Sequence, residues 1–123
     1  MRNNLIGKWY RQDTNEQGEQ VIEFAEMMLD GSYEFSFTVK AQSGEIISEI
    51  LEYGDWGLVG DIHFTIAKGE LVDGEEYAAD CANEDNYHAY KVLQLDGQIF
   101  KYAHIVSGEV FILHKVTDKI AYC

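Results

Sequence analysis

An all-β fold, an antiparallel up-and-down barrel of about eight or nine strands, is predicted by three features of this sequence. Proline is absent from all 123 residues, so no strand interior carries the residue that cannot donate to a ladder. Turn pairs containing glycine recur along the chain, at Asp30-Gly31, Ser43-Gly44, Gly60-Asp61, Asp73-Gly74, Asp96-Gly97 and Ser107-Gly108. Between most of them lie runs rich in Val, Ile, Tyr, Phe and Thr, the residues that suit a pleated, half-buried surface. Short strands at such spacing make a sandwich or a barrel.

In chain order, strands are expected near residues 7–13, 19–28, 32–41, 45–53, 55–59, 61–68, 86–95, 98–106 and 109–116. Within 19–29, Val21, Phe24, Ala25 and Met28 also fit one face of a short helix. Val21 and Ile22 beside Phe24, followed by the Asp30-Gly31 turn, favour the strand. Segment 73–86 is expected to be a loop. Its Asp73, Glu75, Glu76, Asp80, Glu84 and Asp85 suggest calcium, but the alternating oxygen ligands, central glycine and closing glutamate of an EF-hand are missing. No repeat or linker interrupts the chain, and residues 1–123 read as one domain.

The composition narrows the classes of partner. Hydrophobic residues make up 46% of the chain, enough for a real interior, while the formal net charge of −13 repels phosphate backbones and anionic lipid. Neither nucleic acid nor a membrane is expected as a partner; cationic or neutral ligands remain open. The start, Met1 to Trp9, lacks the apolar run of a signal peptide, and no stretch approaches a membrane span, so a cytoplasmic location is expected. Cys81 and Cys123 form neither a CxxC pair nor a metal spacing; two free thiols are expected, with a disulfide possible only if the tail folds back.

The C-terminal meander can be read by register. Two-residue turns at Asp96-Gly97 and Ser107-Gly108 would set Leu95 opposite Gln98 and Val106 opposite Glu109. One face then carries Tyr87, Ala89, Lys91, Leu93, Phe100, Tyr102, His104, Val106, Phe111 and Leu113. The other carries His88, Tyr90, Val92, Ile99, Lys101, Ala103, Ile105, Val110, Ile112 and His114. The bulky first face is assigned inward, which makes Lys91, Phe100, Tyr102, His104 and Phe111 the candidate ligand-binding residues. Since the second face is also apolar, Val92, Ile99, Ile105, Val110 and Ile112 are expected to meet a second copy in a homodimer. Cover by residues 70–86 of the same chain is the alternative.

Catalytic motifs are lacking. There is no Gly-x-Ser-x-Gly elbow, no phosphate-binding loop and no His-Glu-x-x-His, and His63, His88, His104 and His114 follow no familiar ligand spacing. No metal, cofactor or catalytic residue is assigned. The competing enzyme reading is a cone-shaped α+β fold of the isomerase and dehydratase kind. It needs two or three N-terminal helices, and only 19–29 could supply one.

Gly7-Lys8-Trp9 resembles the Gly-x-Trp signature that opens the first strand of lipocalins and related calycin barrels. Val21-Ile22-Glu23-Phe24, Asp30 to Phe35 and Gly54 to Phe64 are similar to the strand and turn order of small bacterial lipocalin-like domains. The resemblance covers roughly the first 70 residues. It implies that Trp9 closes one end of the barrel and that the domain binds a ligand; taken with the acidic charge, the expected function is a non-catalytic binding or interaction module with a small apolar or cationic ligand in the barrel. Many lipocalins are longer and pack a C-terminal helix on the barrel, whereas this chain ends soon after Val116, so the sequence leaves open whether the shorter barrel has room for a cavity. A purely structural dimer without ligand is the remaining alternative.

Overall fold

Alternation of side chains between two faces is plainest over residues 20–27, where Glu23, Ala25 and Met27 are buried and the residues between them are not. That segment is a strand, with no helical turn. The computed structural model describes residues 2–80 and 82–116; Cys81 and Cys123, and with them the expected state of the thiols, lie outside the described residues. Nine strands follow a short helical turn, α1 (Arg2–Leu5). They are β1 (Gly7–Thr14), β2 (Gln20–Met27), β3 (Ser32–Lys40), β4 (Ile46–Val59), β5 (Ile62–Val72), β6 (Glu75–Ala78), β7 (Tyr87–Leu95), β8 (Ile99–His104) and β9 (Val110–Lys115).

Every pairing is antiparallel, and β1 pairs with both β2 and β9. The ladder β1-β2-β3-β4-β5-β7-β8-β9 therefore closes on itself as an eight-stranded barrel, and β6 adds a short strand beside the far half of β5. Closure removes the free edges that an open sheet would expose. Segment 73–86, expected as a loop, instead holds β6 and a 3-10 turn at Glu84–Asn86.

The two strands expected at 45–53 and 55–59 are one strand, β4, whose register against β5 shifts between Tyr53 and Gly54. Gly54 is required there. A Cβ at this position would collide with the Ile66 carbonyl across the ladder.

One end of the barrel is solid. Leu5, Trp9, Ala25, Met27, Tyr33, Trp56, Phe100 and Leu113 form a contiguous buried cluster, with Trp9, Leu5 and Phe100 wholly inaccessible. Each tryptophan is fixed twice. Trp9 donates its indole N–H to the Leu5 carbonyl at 2.9 Å, and the Lys115 ammonium lies 4.6 Å from the ring centroid. Trp56 donates to the Met28 carbonyl at 2.9 Å beneath the Arg2 guanidinium, 4.7 Å from its ring. Lys115 also donates to the Ile6 carbonyl at 2.6 Å, and its partial burial lowers its pKa. The Gly-x-Trp signature acquires a physical reason here. Gly7 has φ +130°, and its missing side chain is the space through which Lys115 reaches the Trp9 ring.

The meander departs from its expected register in three places. At the β7–β8 hairpin Asp96 N–H bonds the Ile99 carbonyl at 3.0 Å, and Leu95 pairs with Phe100 instead of the expected Gln98, a slip of two residues that keeps the expected faces. A bulge between Val92 and Gln94 then inserts one residue and reverses every side chain before it. Tyr90 pairs with His104 and Val92 with Tyr102, so His88, Tyr90 and Val92 face inward, while Tyr87, Ala89 and Lys91 face outward. Lys91, assigned to the lining, is an exposed residue paired with Asp61 at 2.8 Å. Val92, assigned to the dimer face, packs on the core cluster. At the β8–β9 connection His104 N–H bonds the Glu109 carbonyl at 2.9 Å, so Ile105 to Gly108 form a four-residue turn. That slip of two residues preserves the faces of β8 and β9. It moves Ile105 off the strand and leaves Val106, expected inside, 85% exposed.

Candidate functional site

Beyond the packed end, the barrel opens into a cavity of about 300 Å³. Its walls are Glu23, Ala25 and Met27 from β2, Tyr33 and Phe35 from β3, Glu52 from β4, His63 and Thr65 from β5, His88 and Tyr90 from β7, Tyr102 from β8 and Phe111 from β9. Period-two alternation puts each of them inside, and every barrel strand except β1 contributes.

Two carboxylates border this space with different partners. Glu23 faces Arg11 directly across the β1–β2 ladder, and the two pair at 3.0 Å. Glu52 accepts from the Tyr33 hydroxyl at 2.9 Å and has no cationic partner among the described residues. The phenols respond to this acidic, desolvated setting. Burial, and after it the Glu52 charge, push Tyr90 up to about 12. The same causes raise Tyr33 further, helped by its hydrogen bond to Glu52. Tyr102 is raised chiefly by burial. All three remain neutral O–H groups at physiological pH.

The Tyr102 ring packs against Phe100, with centroids 4.3 Å apart, and against Phe111 at 5.2 Å, deep in the barrel. Its hydroxyl has no hydrogen-bond partner among the described residues, yet it is not a sealed, unsatisfied atom. It therefore opens on the cavity.

His63 is almost fully buried and lies among Trp56, Tyr90, Phe100 and Tyr102, stacked on Tyr90 with centroids 5.7 Å apart. Burial pushes its pKa down to about 4, so the ring is neutral. Its Nδ1 lies 3.3 Å from the Gly57 carbonyl, which only accepts; the proton therefore sits on Nδ1, and Nε2 is a lone-pair acceptor. A second tautomer chain runs along the rim. His104 Nδ1 accepts from the Val106 and Ser107 amides at 3.1 and 3.3 Å, which places its proton on Nε2, 3.2 Å from His88 Nδ1. His88, whose ring borders the cavity, then carries its proton on Nε2. Among the described residues this histidine pair gathers no third metal ligand.

Of the residues singled out in the sequence, Tyr102 and Phe111 line the cavity, whereas Phe100, expected to line it, is wholly buried in the packed cluster behind Tyr102. His104 lies behind His88, in a shallow groove with Tyr87, Ile105 and Val106. Lys91 is outside. Of the expected dimer face, Val110 and Ile112 are exposed on β9, Ile99 is half-buried on β8, and Ile105 sits in the turn. Sequence reasoning missed Glu23, Tyr33, Glu52, His63 and Tyr90. A signal existed for Glu23, a carboxylate at the inward parity of Val21, Ala25 and Met27, and for Glu52, which the β3–β4 register places opposite Phe35.

Compared with solved structures, the chain is similar to a lipocalin-like protein from Bacteroides uniformis ATCC 8492. The two are 21% identical with a TM-score of 0.53, over 92% of this chain and 99% of that one. No family model matches the sequence, and no curated protein matches it. The likeness is one of fold: a closed antiparallel eight-stranded barrel with one extra strand, lipocalin-like in its architecture.

Proposed function

We propose that this lipocalin-like barrel is a binding domain that holds one small molecule in its interior. The observation that carries the reading is the Tyr102 hydroxyl, deep in the barrel, facing a cavity of about 300 Å³ and unmet by any described protein group. A cavity of that volume is at the lower end of those that take small ligands, and its few polar groups set in aromatic walls suit selective recognition. Native mass spectrometry of the as-purified protein tests it. A ligand-derived excess over the 14.0 kDa chain is expected, and Ala25→Leu, which fills the cavity from β2, should abolish it. An excess that persists in the filled variant would place the ligand elsewhere, and a bare chain under all gentle conditions would overturn the reading.

We also propose that two copies associate through the outer face of β8 and β9. The exposure of Val110 and Ile112 beside Ile99 supports it, with Ile105 extending the apolar surface at one end. Lys101 and His114 on the same face make the contact partly polar. Light scattering should return twice the chain mass, and Ile112→Asp should return it to one. A single-chain mass for the wild type at every accessible concentration would exclude the pairing.

A further inference from the structure

We propose that the barrel cavity selects a compact organic cation, an ammonium carried on a small apolar body, with Glu52 as its counter-ion. The inference rests on the reading of the cavity as a binding site and adds the class of its ligand.

Charge is the first argument. Glu23 is matched by Arg11, so that pair is locally neutral, whereas Glu52 brings an unmatched negative charge to the same walls. Tyr33 occupies one Glu52 oxygen, Oε2, and the other has no partner among the described residues. Among the described residues no Lys or Arg side chain lines the cavity, and Lys91, expected inside, is turned outward by the β7 bulge and paired with Asp61. Within low-dielectric walls such an imbalance is worth more than at the surface. The chain as a whole, at −13, also raises the local concentration of cations at the barrel mouth.

Hydrogen bonding is the second. The described walls offer a carboxylate oxygen, the Nε2 lone pair of a histidine kept neutral by its burial, and the Tyr102 hydroxyl oxygen, all without protein donors. An ammonium carries donors and no acceptor, the character that acceptors of this kind favour; a carboxylate ligand would face Glu52 directly. The remaining walls suit the rest of such a molecule. Phe35, Tyr90, Tyr102 and Phe111 make the walls aromatic, a lining that suits a cation, and Met27 and Ala25 accept an apolar body.

Calorimetry with three probes of one shape separates the possibilities: phenethylammonium, phenethyl alcohol and phenylacetate, at physiological ionic strength so that long-range surface attraction is screened. The ammonium should bind about tenfold or more tightly than the alcohol, and phenylacetate should bind most weakly. Glu52→Gln keeps an acceptor for Tyr33 and should remove the preference while leaving phenethyl alcohol within about twofold of wild type. Glu52→Asp should restore part of it, a readout that a merely destabilised barrel would not give. If the alcohol or phenylacetate binds as tightly as the ammonium, the cation class is overturned and binding by the barrel stands. If Glu52→Gln leaves ammonium binding unchanged, the cation sits on the acidic surface and the assignment fails. Binding of none of the three also overturns it, while the mass-spectrometric test decides separately whether the barrel holds anything.

Discussion

The two ends of this barrel are built on the same strands and differ in almost every physical respect. At the Trp9 end, each large side chain is in contact with others and each indole N–H has a carbonyl; at the other end, a phenol, a carboxylate oxygen and an imidazole nitrogen lack partners among the described residues around open space. The difference teaches where stability and recognition reside. Dense packing returns free energy only where the walls meet, and polar groups left for a ligand contribute little to folding. Tyr33 and His63 lie at the boundary, each touching both regions.

Substitutions should reproduce that division. The largest effect is expected at the packed end, where Trp9→Ala should cost about 3 to 5 kcal/mol through the cavity it leaves and the loss of its cation and carbonyl contacts. Urea unfolding measures it. An unchanged midpoint would mean that the packed end does not carry the barrel's stability.

Next in size is the acid response of His63. Its folded-state pKa, about 4, lies below the ordinary 6.5 because burial disfavours the charged ring, so the unfolded chain takes up the proton first. The stability at stake is fully present above about pH 6.5 and falls as the pH drops toward 4, by about 3 kcal/mol in all. Comparing unfolding midpoints at pH 7 and pH 4.5 in wild type and His63→Gln isolates this residue from the many carboxylates. The variant should lose less stability on acidification, and equal losses would show that burial does not hold the His63 ring neutral.

The smallest effect sharpens the contrast. Tyr102→Phe removes a hydroxyl with no partner among the described residues and should shift stability by no more than about 0.5 kcal/mol, while retaining the ring stack with Phe100 and Phe111. A loss above about 2 kcal/mol in the same urea experiment would mean that the hydroxyl is a structural group, and that the cavity end is held together as the packed end is.

Much of the architecture was legible in the residues themselves. Glycine turns, the absence of proline and β-branched runs predict an antiparallel barrel, because these are local preferences that act wherever the chain lies. The assignment of Phe100, Tyr102, Phe111 and Leu113 to one face also follows from alternation alone, and a slip of two residues at the Ile105 to Gly108 turn left it intact. The other wall of the site was decided in three dimensions. A single bulge between Val92 and Gln94 reverses β7, exchanging Lys91 for Tyr90 and His88 at the cavity; because both faces of that strand are apolar, the pattern carried no trace of it. The pairing of Arg11 with Glu23 and the isolation of Glu52 likewise depend on which strands become neighbours when the barrel closes. Side-chain period is a property of one strand, but a cavity is a property of seven, and only their mutual register sets which charges meet inside it.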